Sequence, residues 1–309
     1  MSRPTVERRV ASAGAELAVR EWGDPARPTV LLAHGYPDTG AVWDELVERL
    51  APSLHVVVFD MRGMGDSTAP KERRGFAVER LVDDIGAVAA AVGGGERVHL
   101  VAHDWGGIAA WDGLARGALD LASFTAVAAP SLDHVGRRLA SVLRRPSPDG
   151  LAGAAGQGLR SWYIAAFRLP LLPELAWRSV AARRFAAVLR RTEGIEPRPG
   201  HPAATLARDA VRGLAIYRTN VGRRLRHPLL AASGLPVQLI VPTRDPYIST
   251  WAYDGLGRGV PGLRRHELRA GHWVQRSHPD EVARLVRELV DEVGAATEGT
   301  RRRSPGRTA

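Results

Sequence analysis

The chain has 309 residues, no cysteine, and 43 basic against 33 acidic side chains, for a formal charge of +10. That length suffices for one large α/β domain or two small ones with a substantial core, and the missing thiols exclude disulfides, thiolate metal sites and a cysteine nucleophile. Lys71 is the only lysine, and arginine pairs such as Arg8-Arg9, Arg144-Arg145, Arg183-Arg184 and Arg223-Arg224 recur without aromatic interleaving, which reads as a chain-wide bias on a solvated surface and gives no nucleic-acid partner. The N-terminus lacks a signal-peptide core, and no stretch approaches the ~18 apolar residues of a membrane span. A cytoplasmic protein without stable membrane insertion is expected.

Val6 to Ser12 and Glu16 to Trp22, separated by Ala13-Gly14-Ala15, read as a hairpin. Apolar strand-like runs follow at Thr29–Ala33, His55–Phe59, Val98–Ala102, Phe124–Ala128, Val237–Val241 and about Leu263–Leu268. Helical patterns at Val42–Leu50, Val78–Val92 and Ile108–Ala115 alternate with them. This alternation predicts a mostly parallel central sheet with helices on both faces. Between about Pro130 and Ser233 the alternation stops, with helical runs near Leu159–Phe167, Leu175–Leu189 and Ala203–Val221 and a Gly-rich Gly150–Gly158 segment expected to be a flexible connection. The predicted organisation is a core of residues 1–129 and 234–293 with a helical lid over 130–233, placed above the strand ends where open α/β sheets hold their sites. Pro279, Asp280 and Glu281 open a last helix with one apolar stripe from Val282 to Val293. Residues 294–309 are expected to be a disordered basic tail.

The most informative run is Val98-His-Leu-Val-Ala-His-Asp-Trp-Gly-Gly107, a strand leading through small-x-Asp104-x-small into a helix. This is the pattern of a strained nucleophile elbow with a carboxylate where a serine usually stands. An aspartate is already ionised at neutral pH. It attacks saturated carbon and leaves an alkyl ester that water must cleave, which points to an epoxide or an alkyl halide. His34-Gly-Tyr-Pro37 follows the first central strand, so the Tyr36 and Trp105 N–H groups are candidates for an oxyanion hole. Asp245 follows the penultimate strand and His272 the last, which puts nucleophile, acid and base in the order of a hydrolase triad. Asp133 is a competing acid, read more simply as a turn or cap at the lid entry. His34, Trp105, Trp162 and Trp273 are candidate pocket residues. His34, His103 and His272 show no metal-ligand spacing, and no metal or cofactor is expected.

These motifs, with Asp60-Met-Arg-Gly-Met-Gly-Asp-Ser67 and Gly271-His-Trp-Val-Gln-Arg-Ser-His-Pro279, make the sequence resemble the α/β-hydrolase fold superfamily and, within it, the epoxide hydrolases, from about Val6 to Val293. The Val241–Tyr247 and Gly271–Pro279 runs also resemble hydrolase domains fused to a short-chain dehydrogenase in some actinobacterial proteins. No such second domain is expected in these 309 residues. The resemblance implies that Tyr163 and Tyr217 are the two lid tyrosines that donate to the epoxide oxygen, a role that suits a phenol because an alkoxide leaves poorly unless protonated. It implies a small apolar epoxide and water as substrates, a vicinal diol as product, and Asp104, His272, Asp245, Tyr163 and Tyr217 as the catalytic set. A haloalkane dehalogenase with the same Asp nucleophile is the main alternative, with indole donors from Trp105, Trp162 or Trp177. A catalytically inactive binding module is the second.

Overall fold

The computed structural model describes residues 3–229 and 234–303. β1 (Val6–Ser12) and β2 (Ala15–Trp22) pair antiparallel. Their two-residue turn, Ala13-Gly14, has positive φ at both positions, the twist that tight hairpins require. Six further strands complete one sheet: β3 (Thr29–Ala33), β4 (His55–Phe59), β5 (His99–His103), β6 (Ser123–Val127), β7 (Val237–Pro242) and β8 (Arg264–Leu268). The order is β1-β2-β4-β3-β5-β6-β7-β8, with every pair from β4 to β8 parallel. β3 to β7 are almost wholly buried, which accounts for their unbroken apolar runs.

Between the strands lie α1 (Asp44–Leu50), α2 (Val78–Val92) and α3 (Asp104–Ala115), as the periodicity predicts. The Asp60–Ser67 loop is pinned from two sides. Asp60 Oδ1 accepts from Gly40 N at 2.7 Å and Arg20 at 2.9 Å, and the fully buried Arg62 forks onto Asp84 at 2.6 and 2.5 Å. A bidentate pair of this kind satisfies both charges inside the core.

Between β6 and β7 the chain forms α4 (Leu132–Arg144), α5 (Pro148–Arg160), α6 (Trp162–Phe167), α7 (Leu172–Ala176), α8 (Ala182–Val188) and α9 (Leu206–Arg226). Two expectations fail here. Helix α4 was not anticipated, and Asp133 lies in its first turn behind the Ser131 cap. The Gly150–Gly158 segment is ordered helix: Ser147 caps α5 and Pro148 opens it. Its glycines permit close packing, since a Cβ on Gly153 would come within 2.1 Å of the Trp251 ring. Residues 177–181 and 189–193 are π-helical. Pro173, Trp177, Phe185 and Leu189, separated by multiples of four residues, form one buried stripe.

The last helix, α11, follows the short α10 (Val274–Ser277) and runs Pro279–Arg303. The expected disorder from residue 294 is therefore corrected as far as 303. Residues 294–299 are exposed, and Ala and Glu there sustain a helix already nucleated by a packed stem. The lid boundary at 230–233 and the tail at 304–309 lie outside the described residues.

Candidate active site

Asp104 is the first residue of α3, reached directly from β5, and its φ is +48°. A non-glycine residue in that region is strained, and the strain throws its carboxylate clear of the strand end. Oδ1 accepts from Tyr36 N at 2.8 Å, and the Trp105 N–H also stabilises the carboxylate. Gly35 makes the approach possible, because a Cβ there would lie 2.4 Å from both Cβ and Oδ1 of Asp104. Both expected oxyanion donors thus already engage the Asp104 carboxylate, Tyr36 N on Oδ1, while Oδ2 stands 3.8 Å from His272 Nε2.

Beyond β7, Asp245 Oδ1 accepts from the N–H groups of Tyr247 at 2.7 Å and Ile248 at 3.0 Å. This local turn aims Oδ2 at His272 Nδ1, 2.7 Å away. Asp133 is remote from that pairing. It joins Arg224 at 2.6 Å and Leu229 N at 3.0 Å, so the two candidate acids separate into one that orients the histidine and one that anchors α4 to α9.

Electrostatics follow from burial. Desolvation opposes a charge on His272, but Asp245, Asp104 and Glu193 outweigh it and raise its pKa to about 9. Burial raises Asp104 to about 6, against the opposing pull of His272 and the Tyr36 and Trp105 N–H groups. At neutral pH the pair therefore rests as carboxylate and imidazolium.

Tyr163, from α6, and Tyr217, from α9, pack edge-on with ring centroids 6.0 Å apart and their hydroxyls hydrogen-bonded to each other, within the field of Asp104. Burial, reinforced by the Asp104 charge, raises both phenols, so both stay protonated donors. Tyr36 and Phe167 complete an aromatic cluster, with rings 5.1 Å from that of Tyr217 in each case. The Trp105 indole is directed at the Tyr217 oxygen and the Trp177 indole at that of Tyr36.

Two expected pocket residues sit otherwise. Trp162 is 69% exposed, because consecutive helical residues point about 100° apart and Tyr163 takes the inward direction. His34 is wholly buried with both nitrogens engaged, Nε2 accepting from Met61 N at 2.9 Å and Nδ1 on Gly35 O at 2.8 Å. It braces the oxyanion loop and has no donor left for a ligand. Trp273 packs beside His272 and donates its indole N–H to Asp38 at 2.7 Å.

Sequence reading missed a layer behind the histidine. His201, from the insertion, donates to Asp38 at 3.0 Å. The Glu193 carboxylate lies against Gly271, where a Cβ would meet Oε2 at 1.9 Å, and accepts from the His272 and Trp273 N–H groups. Asp38 had a signal in its place one residue after the His34–Pro37 motif. Glu193 and His201 had none, since their partners are far away in sequence.

A model of the Alpha/beta hydrolase family matches residues 30–285, and the chain belongs to that family. Epoxide hydrolase A of Mycobacterium tuberculosis is 30% identical over 86% of this chain and 76% of that protein. Epoxide hydrolase 3 of Mus musculus is also 30% identical, over 88% of this chain and 73% of its own length, so the chain stands among the epoxide hydrolases. Probable oxidoreductase EphD of Mycobacterium tuberculosis is 39% identical over 90% of this chain but only 48% of that protein; the chain spans about half the length of that relative. The crystal structure of Bacillus megaterium epoxide hydrolase in complex with an inhibitor matches 92% of this chain and 100% of its own with a TM-score of 0.77 at 22% identity, a likeness of fold.

Proposed function

We propose that this chain hydrolyses a small apolar epoxide to a vicinal diol through an ester on Asp104. The observation that carries the reading is one carboxylate with its two oxygens differently engaged: Oδ1 accepts from the Tyr36 N–H and Oδ2 stands 3.8 Å from His272 Nε2, while the Tyr163 and Tyr217 phenols both feel the Asp104 charge. Oδ2 attacks an epoxide carbon and the C–O bond breaks. A tyrosine gives its proton to the departing oxygen, which yields a hydroxyalkyl ester and a tyrosinate stabilised by its neighbour. Oδ1 becomes the ester carbonyl oxygen while still held by the Tyr36 N–H, with the Trp105 N–H also donating to the carboxyl group.

Ester formation removes the Asp104 charge, one of three carboxylates that raise the His272 pKa. The imidazolium then gives up its proton, in balance restoring the tyrosine, and His272 becomes the base for the second step. It takes a proton from water as the water oxygen bonds to Cγ of Asp104. The oxyanion forms on Oδ1 within reach of donors that needed no rearrangement. Collapse breaks the bond from Cγ to the diol oxygen, which takes the proton from the His272 imidazolium, and the Asp104 acid so formed returns its own proton to His272 to restore the ion pair.

The dehalogenase reading loses its donors. A departing halide requires free N–H groups, whereas the Trp105 and Trp177 indoles are directed at tyrosine oxygens and Trp162 faces outward. An inactive binding module has no use for a strained nucleophile aligned with a base and an acid. A panel of apolar epoxides and bromoalkanes tests the proposal. Diol formation from at least one epoxide is expected, slowed by about 10²-fold or more in Tyr217→Phe. Bromide release without diol formation would assign the site to the other chemistry.

A further inference from the structure

The arginine excess is not spread along the chain. Residues 130–229 contain 18 arginines and six Asp or Glu, a formal +12, so that with +10 for the whole chain the remainder carries −2. The chain-wide reading of the charge is thereby corrected. Between Leu143 and Arg191 nine arginines accompany only Asp149 and Glu174. Glu174 is already paired with Arg218 at 2.6 Å. Among the described residues no carboxylate lies within ion-pair distance of Arg144, Arg145, Arg160, Arg178, Arg183 or Arg184, and all six are exposed.

The exposed large apolar side chains fall in the same stretch. Leu143 is 81% exposed, Leu159 78%, Leu171 72% and Trp162 69%, with Leu172 and Leu175 at 60% each. Outside residues 143–188 the described residues offer only Val6. Around α7 and α8 the buried stripe at Pro173, Trp177, Phe185 and Leu189 leaves the opposite side to Leu172, Leu175, Val180, Arg183 and Arg184. A solvated face has no reason to collect leucines, and a nucleic-acid face has little use for them without stacking aromatics.

We propose that the outer face of the insertion, from Leu143 to Arg191, docks peripherally on an anionic phospholipid surface. Charge complementarity selects the occupant. Arginines without carboxylate partners match lipid phosphates, while leucines and one tryptophan suit the headgroup–acyl boundary, where amphipathic cationic faces settle. Long guanidinium stems reach phosphate while their apolar neighbours sit deeper. No helix among the described residues is long and apolar enough to cross a membrane, so attachment through this face would be reversible. This inference does not depend on the catalytic reading.

Vesicle co-sedimentation of the full chain tests it, with phosphatidylcholine alone and with phosphatidylcholine carrying phosphatidylglycerol. Binding is expected to the anionic vesicles and to weaken at least tenfold on the neutral ones. It should also weaken as salt rises from about 0.1 to about 1 M, which shortens the screening length from about 10 to about 3 Å. The double variant Arg183→Glu, Arg184→Glu should lose roughly twentyfold or more, at about fivefold for each basic residue near the surface. Leu171→Ser with Leu172→Ser should weaken the binding that survives in high salt. Thermal unfolding of each variant, expected to match the parent, shows that the fold is intact. Four outcomes would overturn the proposal: no binding to anionic vesicles, equal binding to both compositions, binding unchanged in both folded variants, or preference for duplex DNA over vesicles. Concentration-dependent dimerisation abolished by the leucine substitutions would likewise assign the face to a second copy of the chain.

Discussion

Replacing Gly35 with alanine asks whether the oxyanion loop and the nucleophile are fitted to each other. The new Cβ would lie 2.4 Å from Cβ and Oδ1 of Asp104 and 2.8 Å from its Cγ, whereas carbon atoms rest at about 3.5–4.0 Å. Relief therefore requires about 1 Å of movement by the loop, the carboxylate or both. Overpacking on this scale costs about 1–3 kcal/mol, well below the ~5–15 kcal/mol that holds a typical domain together, so the variant should fold and melt a few degrees lower. A shift of about 1 Å in a reacting group costs on the order of 10²-fold in rate. Rapid-quench measurement of ester formation under single-turnover conditions should show that loss. A folded Gly35→Ala protein that forms the ester at the parental rate would refute the reasoning, because the nucleophile would then tolerate displacement from its N–H donors.

Asp245→Asn should lower turnover by about 10⁴-fold through loss of the correct histidine tautomer while leaving stability little changed. Asp133→Asn should do the reverse, destabilising the fold toward the lower end of the about 3–5 kcal/mol typical of a broken buried pair, since Arg224 keeps Asp112 at 2.7 Å. Turnover and urea unfolding of the two variants check the contrast. The proposed attack requires Asp104 in its ionised form, and burial raises its pKa to about 6, so ester formation is expected to increase with pH and level off above about 6. A single-turnover profile flat down to the ordinary aspartate value of about 3.9 would contradict that assignment.

What was legible in the sequence has a common physical source. Asp104 and Asp245 follow the buried strands β5 and β7 and His272 follows the edge strand β8, and parallel sheet order brings these strand ends to one edge, so a one-dimensional pattern carries their meeting. Tyr163 and Tyr217 were identified through family resemblance, and their rings pack together near enough to Asp104 to feel its charge. Misreadings arose where local composition was a poor guide. Glycine in α5 marks contact with Trp251 where flexibility was expected. Polar residues after Gly294 continue a helix nucleated elsewhere. Trp162 was assigned inward although its neighbour Tyr163 takes that side. Glu193 and His201 were unreadable because their roles depend on where the insertion folds back onto the core.

A single turnover in ¹⁸O-water with enzyme in excess, followed by mass analysis of the peptide containing Asp104 and of the product, probes the covalent route itself. Attack of water on the ester carbonyl predicts one labelled oxygen on Asp104 and an unlabelled diol. Label in the diol with Asp104 unlabelled would mean that water opens the epoxide directly, and the nucleophilic role assigned to Asp104 would be contradicted.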